Sequence, residues 1–204
     1  SNLEYDALYD ELKKLEEETG TILAGSVTQN VGYEVSSSLP KVTHPKRMLS
    51  LDKTKEVSKL KAFLGTQEGL LSWKLDGLTI VCTYEEGKLI RAVTRGNGTV
   101  GEEITNNART FKNLPLTIDT KERIVLRGEA LITYEDFNRI NESLSEEEKY
   151  KNPRNLCSGS VRQLNPAITA KRNVRLYAFT LVEGGQDFET KEEQLKWLEE
   201  KGFK

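Results

Sequence analysis

The sequence predicts an α+β fold in which antiparallel sheets are flanked by helices. Residues 78–84 (LTIVCTY) and 88–94 (KLIRAVT) are rich in β-forming residues and flank the stretch EEGK, which is typical of a β-hairpin. Residues 123–132 (RIVLRGEALI) and 173–182 (NVRLYAFTLV) are two more runs of this kind. Helical patterns are interspersed with these runs, and the sequence shows no internal repeat.

An amphipathic helix is predicted first, over residues 3–18. Its apolar residues recur at helical spacing among Glu and Lys: Tyr5, Leu8, Tyr9, Leu12 and Leu15. The pattern ends at Gly20, and residues 20–46 are rich in Gly, Ser and Thr and contain two prolines. We interpret 20–46 as a connector, because such a length inside a domain is usually functional or links subdomains.

Two later helices carry start signals. Thr133 with Asp136 opens the stretch TYEDFNRINESL, and Thr190 with Glu193 opens TKEEQLKWLEE as a capping box. In both, the threonine hydroxyl can accept a hydrogen bond from a backbone N–H of the first turn.

Composition limits the possible functions. The chain has 204 residues with 30 Lys+Arg against 32 Asp+Glu, so its net charge is −2 and any nucleic-acid contact must use local patches. No apolar run approaches the roughly 20 residues of a membrane span, so no membrane partner is predicted. Cys82 and Cys157 lack metal-ligand spacing, and His44 is the only histidine. These residues predict reduced thiols in a cytoplasmic protein and no protein-held metal cluster.

The stretch SWKLDG, residues 72–77, places a cation and an anion two residues apart. In an extended chain Lys74 and Asp76 share a face, and Gly77 lets another group approach the backbone. One interpretation is a surface ion pair, worth about 0–1 kcal/mol. The other is a lysine nucleophile, whose amine must be neutral to attack and therefore needs burial or neighbouring cations.

Candidate phosphate-binding groups follow the hairpin. In TRGNGTVGEEIT, Arg95 precedes Gly96, Gly98 and Gly101, which run toward a predicted helix start. Such glycines allow backbone N–H groups to face phosphate oxygens, and a helix N-terminus adds partial positive charge. A plain loop remains the alternative interpretation of this stretch.

Further charged residues recur on predicted strands and helices. Arg127 and Glu129 share one strand face in LRGEAL, and Arg154 and Arg162 stand eight apart in NPRNLCSGSVRQLNP, near two helical turns. Arginines on one face suit phosphate groups, although a solvated helix face is equally possible.

The ordered set of motifs resembles a known family. KLDG, TRGNGTVGE, RGE, NPRN followed by GSVRQL, and ITAKR occur in the order and at the separations of the adenylation domain of bacterial NAD-dependent DNA ligases. MLSLDK at 48–53 and GSVTQNVG at 25–32 resemble that family's segments before the lysine, and EYDALYDEL resembles part of its N-terminal helical subdomain. KxDG alone is shared with ATP-dependent ligases, RNA ligases and capping enzymes.

The resemblance implies a reaction and its cofactors, NAD and Mg²⁺. Lys74 matches the lysine that attacks the adenylyl phosphorus, forming a phosphoamide with AMP and expelling nicotinamide mononucleotide. Asp76 matches an acidic partner that acts in metal-assisted steps. The AMP then passes to the 5′-phosphate of nicked double-stranded DNA for strand sealing.

The resemblance also implies binding residues. Arg95 and Glu129 match nucleotide contacts, with Glu129 on the ribose hydroxyls. The remaining matches are Tyr5 and Asp6 for the nicotinamide mononucleotide end, Ser50 and Leu51 for the nucleotide, and Arg154 and Arg162 for the DNA backbone and the adenylate. Two positions depart from the family pattern, which commonly has a glutamate where Ser72 stands and an aspartate where Asn97 stands.

These matches predict a nucleotidyltransferase-type adenylation domain, truncated, at 47–204. It follows a remnant helical subdomain at 1–19 and the connector at 20–46. The family's domain continues to a strand resembling DGVVIK, which this chain does not contain. We expect a monomer. The alternatives are a non-catalytic nucleotide- or DNA-binding remnant and, less favoured, an ATP-dependent nucleic-acid ligase.

Overall fold

The computed structural model describes residues 8, 11, 12, 14–16, 18, 19, 38–49 and 52–204. Within the predicted N-terminal helix, every described residue is helical. Tyr5, Asp6, Ser50 and Leu51 lie outside the described residues.

Strands and helices are interspersed through the described part of the chain. Its strands are β1 Lys41–Thr43, β2 Leu78–Glu85, β3 Lys88–Thr94, β4 Val100–Glu102, β5 Ile124–Leu131 and β6 Arg175–Glu183. Its helices beyond the N-terminal one are α1 Val57–Leu64, α2 Thr105–Ala108, α3 Tyr134–Glu142, α4 Pro153–Val161, α5 Pro166–Ala170 and α6 Lys191–Glu200.

The main sheet has four strands in the order β3-β2-β5-β6, and every pairing is antiparallel. The predicted hairpin is confirmed as β2 and β3, and the two other β-rich runs are confirmed as β5 and β6. Mixed helices and antiparallel sheets therefore confirm the α+β class.

One face of this sheet forms the core. Because side chains alternate along a strand, Ile80, Cys82 and Tyr84 of β2 and Leu126 of β5 point to one side, where all four are fully buried. The Tyr84 hydroxyl donates to the carbonyl of Pro115 at 2.6 Å, and the ring stacks edge-on against Phe203. Residues Thr79, Arg127 and Glu129 belong to the opposite face.

Both predicted helix starts are confirmed. The Thr133 hydroxyl accepts from the Asp136 backbone N–H, and Thr190 and Glu193 form a reciprocal capping box. The Asp136 carboxylate also accepts hydrogen bonds from Arg139, Asn173 and Arg175. Burial alone would raise the pKa of Asp136, but these hydrogen bonds outweigh it and hold that pKa well below its usual range. Asp136 thus ties α3 to the start of β6.

A second, two-stranded sheet pairs β1 with β4. Strand β1 lies inside the range that we predicted as a connector. Gly101 lies in β4, and the helix start predicted after the glycines is found at Thr105, where α2 begins. The backbone explains Gly101: a Cβ there would lie 1.8 Å from the Thr94 carbonyl oxygen.

Helix α1 and the segment that follows it contrast with the sheet. Helix α1, which is described throughout, buries none of its residues, and residues 68–76 have no regular secondary structure. None of the helices that the described residues form is both long and apolar enough to cross a bilayer.

Candidate functional site

Lys74 lies in an exposed segment that leads into the main sheet. Its side chain is exposed, and among the described residues it has no hydrogen-bond or ion-pair partner. The neighbouring Asp76 pairs with a different cation: its Oδ1 accepts from Arg154 Nη1 at 3.0 Å. Both partners are largely exposed, so this pair contributes at most about 1 kcal/mol. The predicted lysine and aspartate therefore do not pair with each other.

Glu129 joins this segment to the sheet. Its Oε1 accepts from the Gly77 backbone N–H at 3.1 Å, and its Oε2 accepts from the Thr79 hydroxyl at 2.8 Å. Thr79 lies opposite Glu129 in the β2–β5 register. Gly77 is required here because a Cβ would lie 2.0 Å from the Ala130 carbonyl oxygen. A carboxylate is thus fixed three residues after Lys74.

The Arg95 loop meets the same end of the sheet. The Arg95 backbone N–H donates to the Thr79 carbonyl at 2.9 Å. The Nη2 of the Arg95 side chain donates to the Met48 carbonyl at 3.3 Å. The Asn97 side-chain oxygen accepts from the N–H groups of Thr99 and Val100. Asparagine therefore closes this turn in place of the aspartate that the family commonly has.

The His44 side chain contacts the backbone at the start of the Arg95 loop. Its Nε2 lies 3.1 Å from the Thr94 carbonyl and 3.2 Å from the Arg95 carbonyl, so it serves as a donor to the backbone. Its role in the described structure is to hold the Arg95 turn in place.

Helix α4 carries the two predicted phosphate-binding arginines. Arg154 lies in the first turn and reaches Asp76, whereas Arg162 caps the other end, 3.7 Å from Glu102 and 2.9 Å from the Ser158 hydroxyl. The two arginines pair with acids from different elements. Helix α4 thus spans the space between the Lys74 segment and β4.

Comparison with known proteins identifies the chain's relatives. The family model described as the NAD-dependent DNA ligase adenylation domain matches residues 36–204. The chain belongs to this family. Over its full length it is 63% identical to a DNA ligase of Lachnoclostridium phytofermentans, 58% to one of Ruminiclostridium cellulolyticum and 39% to one of Clostridium tetani. It covers 32%, 31% and 33% of those proteins, so it spans about a third of their length.

Membership of the NAD-dependent DNA ligase adenylation family confirms the resemblance seen in the motifs. Within the described residues Glu129 and the Arg95 backbone both bond Thr79 at one end of the main sheet, and Asp76 pairs with Arg154 in the segment that leads there. Lys74 precedes Asp76 by two residues. The roles of the predicted site residues stay predictions. Sequence reasoning missed Thr79, because its contact with Glu129 depends on a register that the sequence does not display.

The cysteines are both described and belong to the hydrophobic core. Cys82 and Cys157 are free and buried. Burial raises the pKa of each thiol to about 12, and for Cys157 the charge of Glu129 adds to the effect. Neither thiol is a nucleophile at neutral pH.

Proposed function

We propose that this chain is the adenylyl-accepting part of an NAD-dependent DNA ligase. The supporting observation is that the Glu129 carboxylate accepts a hydrogen bond from the Gly77 backbone N–H, three residues after the exposed Lys74. The fold is then of the nucleotidyltransferase type, with a helical subdomain at 1–19, a connector at 20–46 and the adenylation domain from 47 onward.

The proposed reaction has two steps at one phosphorus atom. Lys74 Nζ gives up a proton to water and bonds to the adenylyl phosphorus of NAD, and the bond from that phosphorus to the bridging oxygen breaks. Nicotinamide mononucleotide leaves with that oxygen. An oxygen of the DNA 5′-phosphate then attacks the same phosphorus, and the P–N bond to Lys74 breaks.

Positioning and charge stabilisation carry most of the catalysis in phosphoryl transfer. Glu129 is the proposed partner of the ribose hydroxyls. Arg95 and Arg154 are the proposed sources of positive charge near the non-bridging oxygens. Tyr5 and Asp6 would receive the nicotinamide mononucleotide end, and Ser50 and Leu51 would flank the nucleotide.

Asp76 has the chemistry to hold Mg²⁺ with substrate phosphates. One of its oxygens accepts from Arg154, which leaves the other available, and Mg²⁺ usually takes one or two carboxylates together with phosphates and water. When bound, the ion would neutralise charge on the phosphoryl oxygens. Substrate phosphates and water would complete the coordination of the ion.

Nicked double-stranded DNA is the proposed polymer substrate, in a monomeric, cytoplasmic enzyme. With a net charge of −2, the chain would contact few phosphates, chiefly through Arg154 and Arg162.

The test is intact mass after incubation with NAD and Mg²⁺. We expect a gain of one AMP per chain through an acid-labile P–N bond, and its loss in Lys74→Ala. Lys61→Ala is the matched control, because Lys61 is also exposed and lies in the same part of the chain. An adduct that persists in Lys74→Ala, or disappears in Lys61→Ala, contradicts the assignment.

A second candidate is nucleotide binding without transfer. The exposure of Lys74 favours it, because lysine nucleophiles are activated by desolvation or by neighbouring cations. Saturable AMP binding without any mass gain would identify this function. An equal mass gain from ATP would instead indicate an ATP-dependent ligase.

A further inference from the structure

The loop between β3 and β4 is bordered by residues 41–48, which we call the bordering segment. This segment begins with β1, which pairs with β4. Past the end of β1 the contact continues with the loop itself. The His44 backbone N–H donates to the Thr99 carbonyl, and the Met48 backbone N–H donates to the Gly98 carbonyl, both at 2.8 Å. The bordering segment therefore fixes the half of the loop nearer β4.

Two glycines allow the bordering segment to approach so closely. Gly98 has a φ of +90°, and a Cβ there would lie 2.7 Å from the Met48 carbonyl oxygen. At Gly101 a Cβ would lie 3.0 Å from His44 Nε2. The Gly98 N–H donates to the Arg95 carbonyl at 3.0 Å. Contact with the bordering segment thus accounts for both glycines without a bound phosphate.

The His44 side chain restrains the backbone on both sides of the Arg95 Cα. It is buried, and its Nε2 lies 3.1 Å from the Thr94 carbonyl oxygen and 3.2 Å from the Arg95 carbonyl oxygen. Because a carbonyl oxygen can only accept, Nε2 carries a hydrogen and donates to both. The two carbonyls belong to the planar peptide groups before and after the Arg95 Cα. One histidine nitrogen therefore restrains the φ and ψ of Arg95, which set the direction in which its side chain leaves the backbone.

The far end of the bordering segment holds the tip of the same arginine. The Nη2 of Arg95 donates to the Met48 carbonyl at 3.3 Å. A long side chain that is held at its backbone and at its tip has lost rotamer freedom on folding, so less freedom is lost when a ligand binds. The bordering segment thus orients the guanidinium before a nucleotide arrives.

We propose that His44 is a positioning residue for nucleotide binding and acts through Arg95. His44 fixes the Arg95 backbone, so that the guanidinium meets the phosphate oxygens of the nucleotide in a prepared orientation. Charged donors that are oriented in advance bind an anion without the cost of ordering them. The inference rests on the proposed contact between Arg95 and the nucleotide. A histidine that served only the fold would affect stability and leave the interaction of Arg95 with AMP unchanged.

Isothermal titration of the whole chain with AMP tests this role. His44→Leu keeps a buried side chain but removes the donor, and we expect AMP to bind about fivefold more weakly. Adding His44→Leu to Arg95→Ala should weaken binding no further than Arg95→Ala alone, because the side chain that His44 positions is then missing. Losses that simply add in the double variant would overturn the proposal.

A second pair of variants keeps the test informative if His44→Leu folds poorly. His44→Gln places an amide donor as many bonds from Cα as histidine Nε2, whereas His44→Asn offers the same group with a shorter reach. We expect His44→Gln to retain most of the AMP affinity and His44→Asn to lose it as His44→Leu does. Equal AMP affinities in the glutamine and asparagine variants would contradict a role that depends on reaching the two carbonyls.

Tyr84→Phe is the matched control for a loss of stability alone. It removes the hydrogen bond from the buried Tyr84 hydroxyl to the Pro115 carbonyl, near the end of β2 opposite to Thr79. Both Tyr84→Phe and His44→Leu should lower the thermal midpoint, but only His44→Leu should weaken AMP binding. Weakening of the same size in Tyr84→Phe would show that AMP affinity merely follows stability, which overturns the positioning role.

The outcomes separate this inference from the proposed function. If the unchanged chain binds AMP and His44→Leu binds it equally well, the positioning role fails and the adenylation function stands. If the unchanged chain does not bind AMP, the proposed function fails and the role of His44 fails with it.

Discussion

The two sides of the candidate site are held by very different amounts of structure. Glu129 stands in the central strand of the main sheet, over a fully buried core, with both oxygens hydrogen-bonded. Lys74 stands in a segment without secondary structure, after the exposed side chains of Leu71 and Trp73. The carboxylate proposed for the ribose is therefore held in a fixed geometry, whereas the lysine proposed as the nucleophile is held by no described secondary structure. Changes on the two sides should separate stability from reactivity.

The largest expected contrast comes from matched deletions of apolar side chains. Ile80→Ala in the core should lower the free energy of unfolding by about 2–5 kcal/mol, through lost burial and a cavity. Trp73→Ala should change it by less than about 0.5 kcal/mol, because the indole is already in water. Urea denaturation with equal m-values would measure both. A large loss in Trp73→Ala would show that the Lys74 segment is packed in solution, which ends the comparison.

The Asp136 cluster should give the sheet side a characteristic acid sensitivity. The folded-state pKa of Asp136 lies below its ordinary value of 3.8, so its stabilisation is present above about pH 4 and is lost as pH falls toward the folded pKa. Asp136→Asn should lower the free energy of unfolding at pH 7 by about 3 kcal/mol, because Arg139 and Arg175 lose their anion.

The same variant should also flatten the decline in stability between pH 4 and pH 2. Thermal denaturation across that range provides the measurement. If the variant and the unchanged chain decline in parallel, Asp136 is not the group responsible.

The smallest expected effect concerns the hydrogen bond between Thr79 and Glu129, where the sheet meets the Lys74 segment. Thr79→Val removes one hydrogen bond to Glu129 and should cost about 1 kcal/mol of stability, together with weaker AMP binding. Thr83→Val is the control in the same strand, since Thr83 pairs with Val125 and lies away from Glu129. Isothermal titration with AMP would compare them. Equal affinities in the two variants would mean that Thr79 does not orient the carboxylate.

The sheet side was also the more predictable one. The hairpin, the two other β-rich runs and the caps at Thr133 and Thr190 follow from local residue patterns, and all are confirmed. Strand β1 was not predicted, because a three-residue strand has almost no periodicity and depends on its pairing with β4. The position of Gly101 depends on the same pairing.

The candidate site shows the same limit. The motifs identified Lys74, Asp76, Glu129 and Arg154, because residue types and separations are local information. Asp76 and Arg154 are 78 residues apart, and their pairing became apparent only in the folded structure. Contacts of this kind arise from packing between distant segments, on which sequence periodicity carries no information.

The close approach of the backbone at Gly77 restricts how the Lys74 segment can be redesigned. With the Ala130 carbonyl oxygen 2.0 Å from where a Cβ would stand, all larger residues are closed to this position. A library that varies residues 70–73 can therefore explore many side chains without disturbing the sheet, but position 77 must remain glycine. The lysine proposed as the nucleophile therefore joins the main sheet through a position that accepts only glycine.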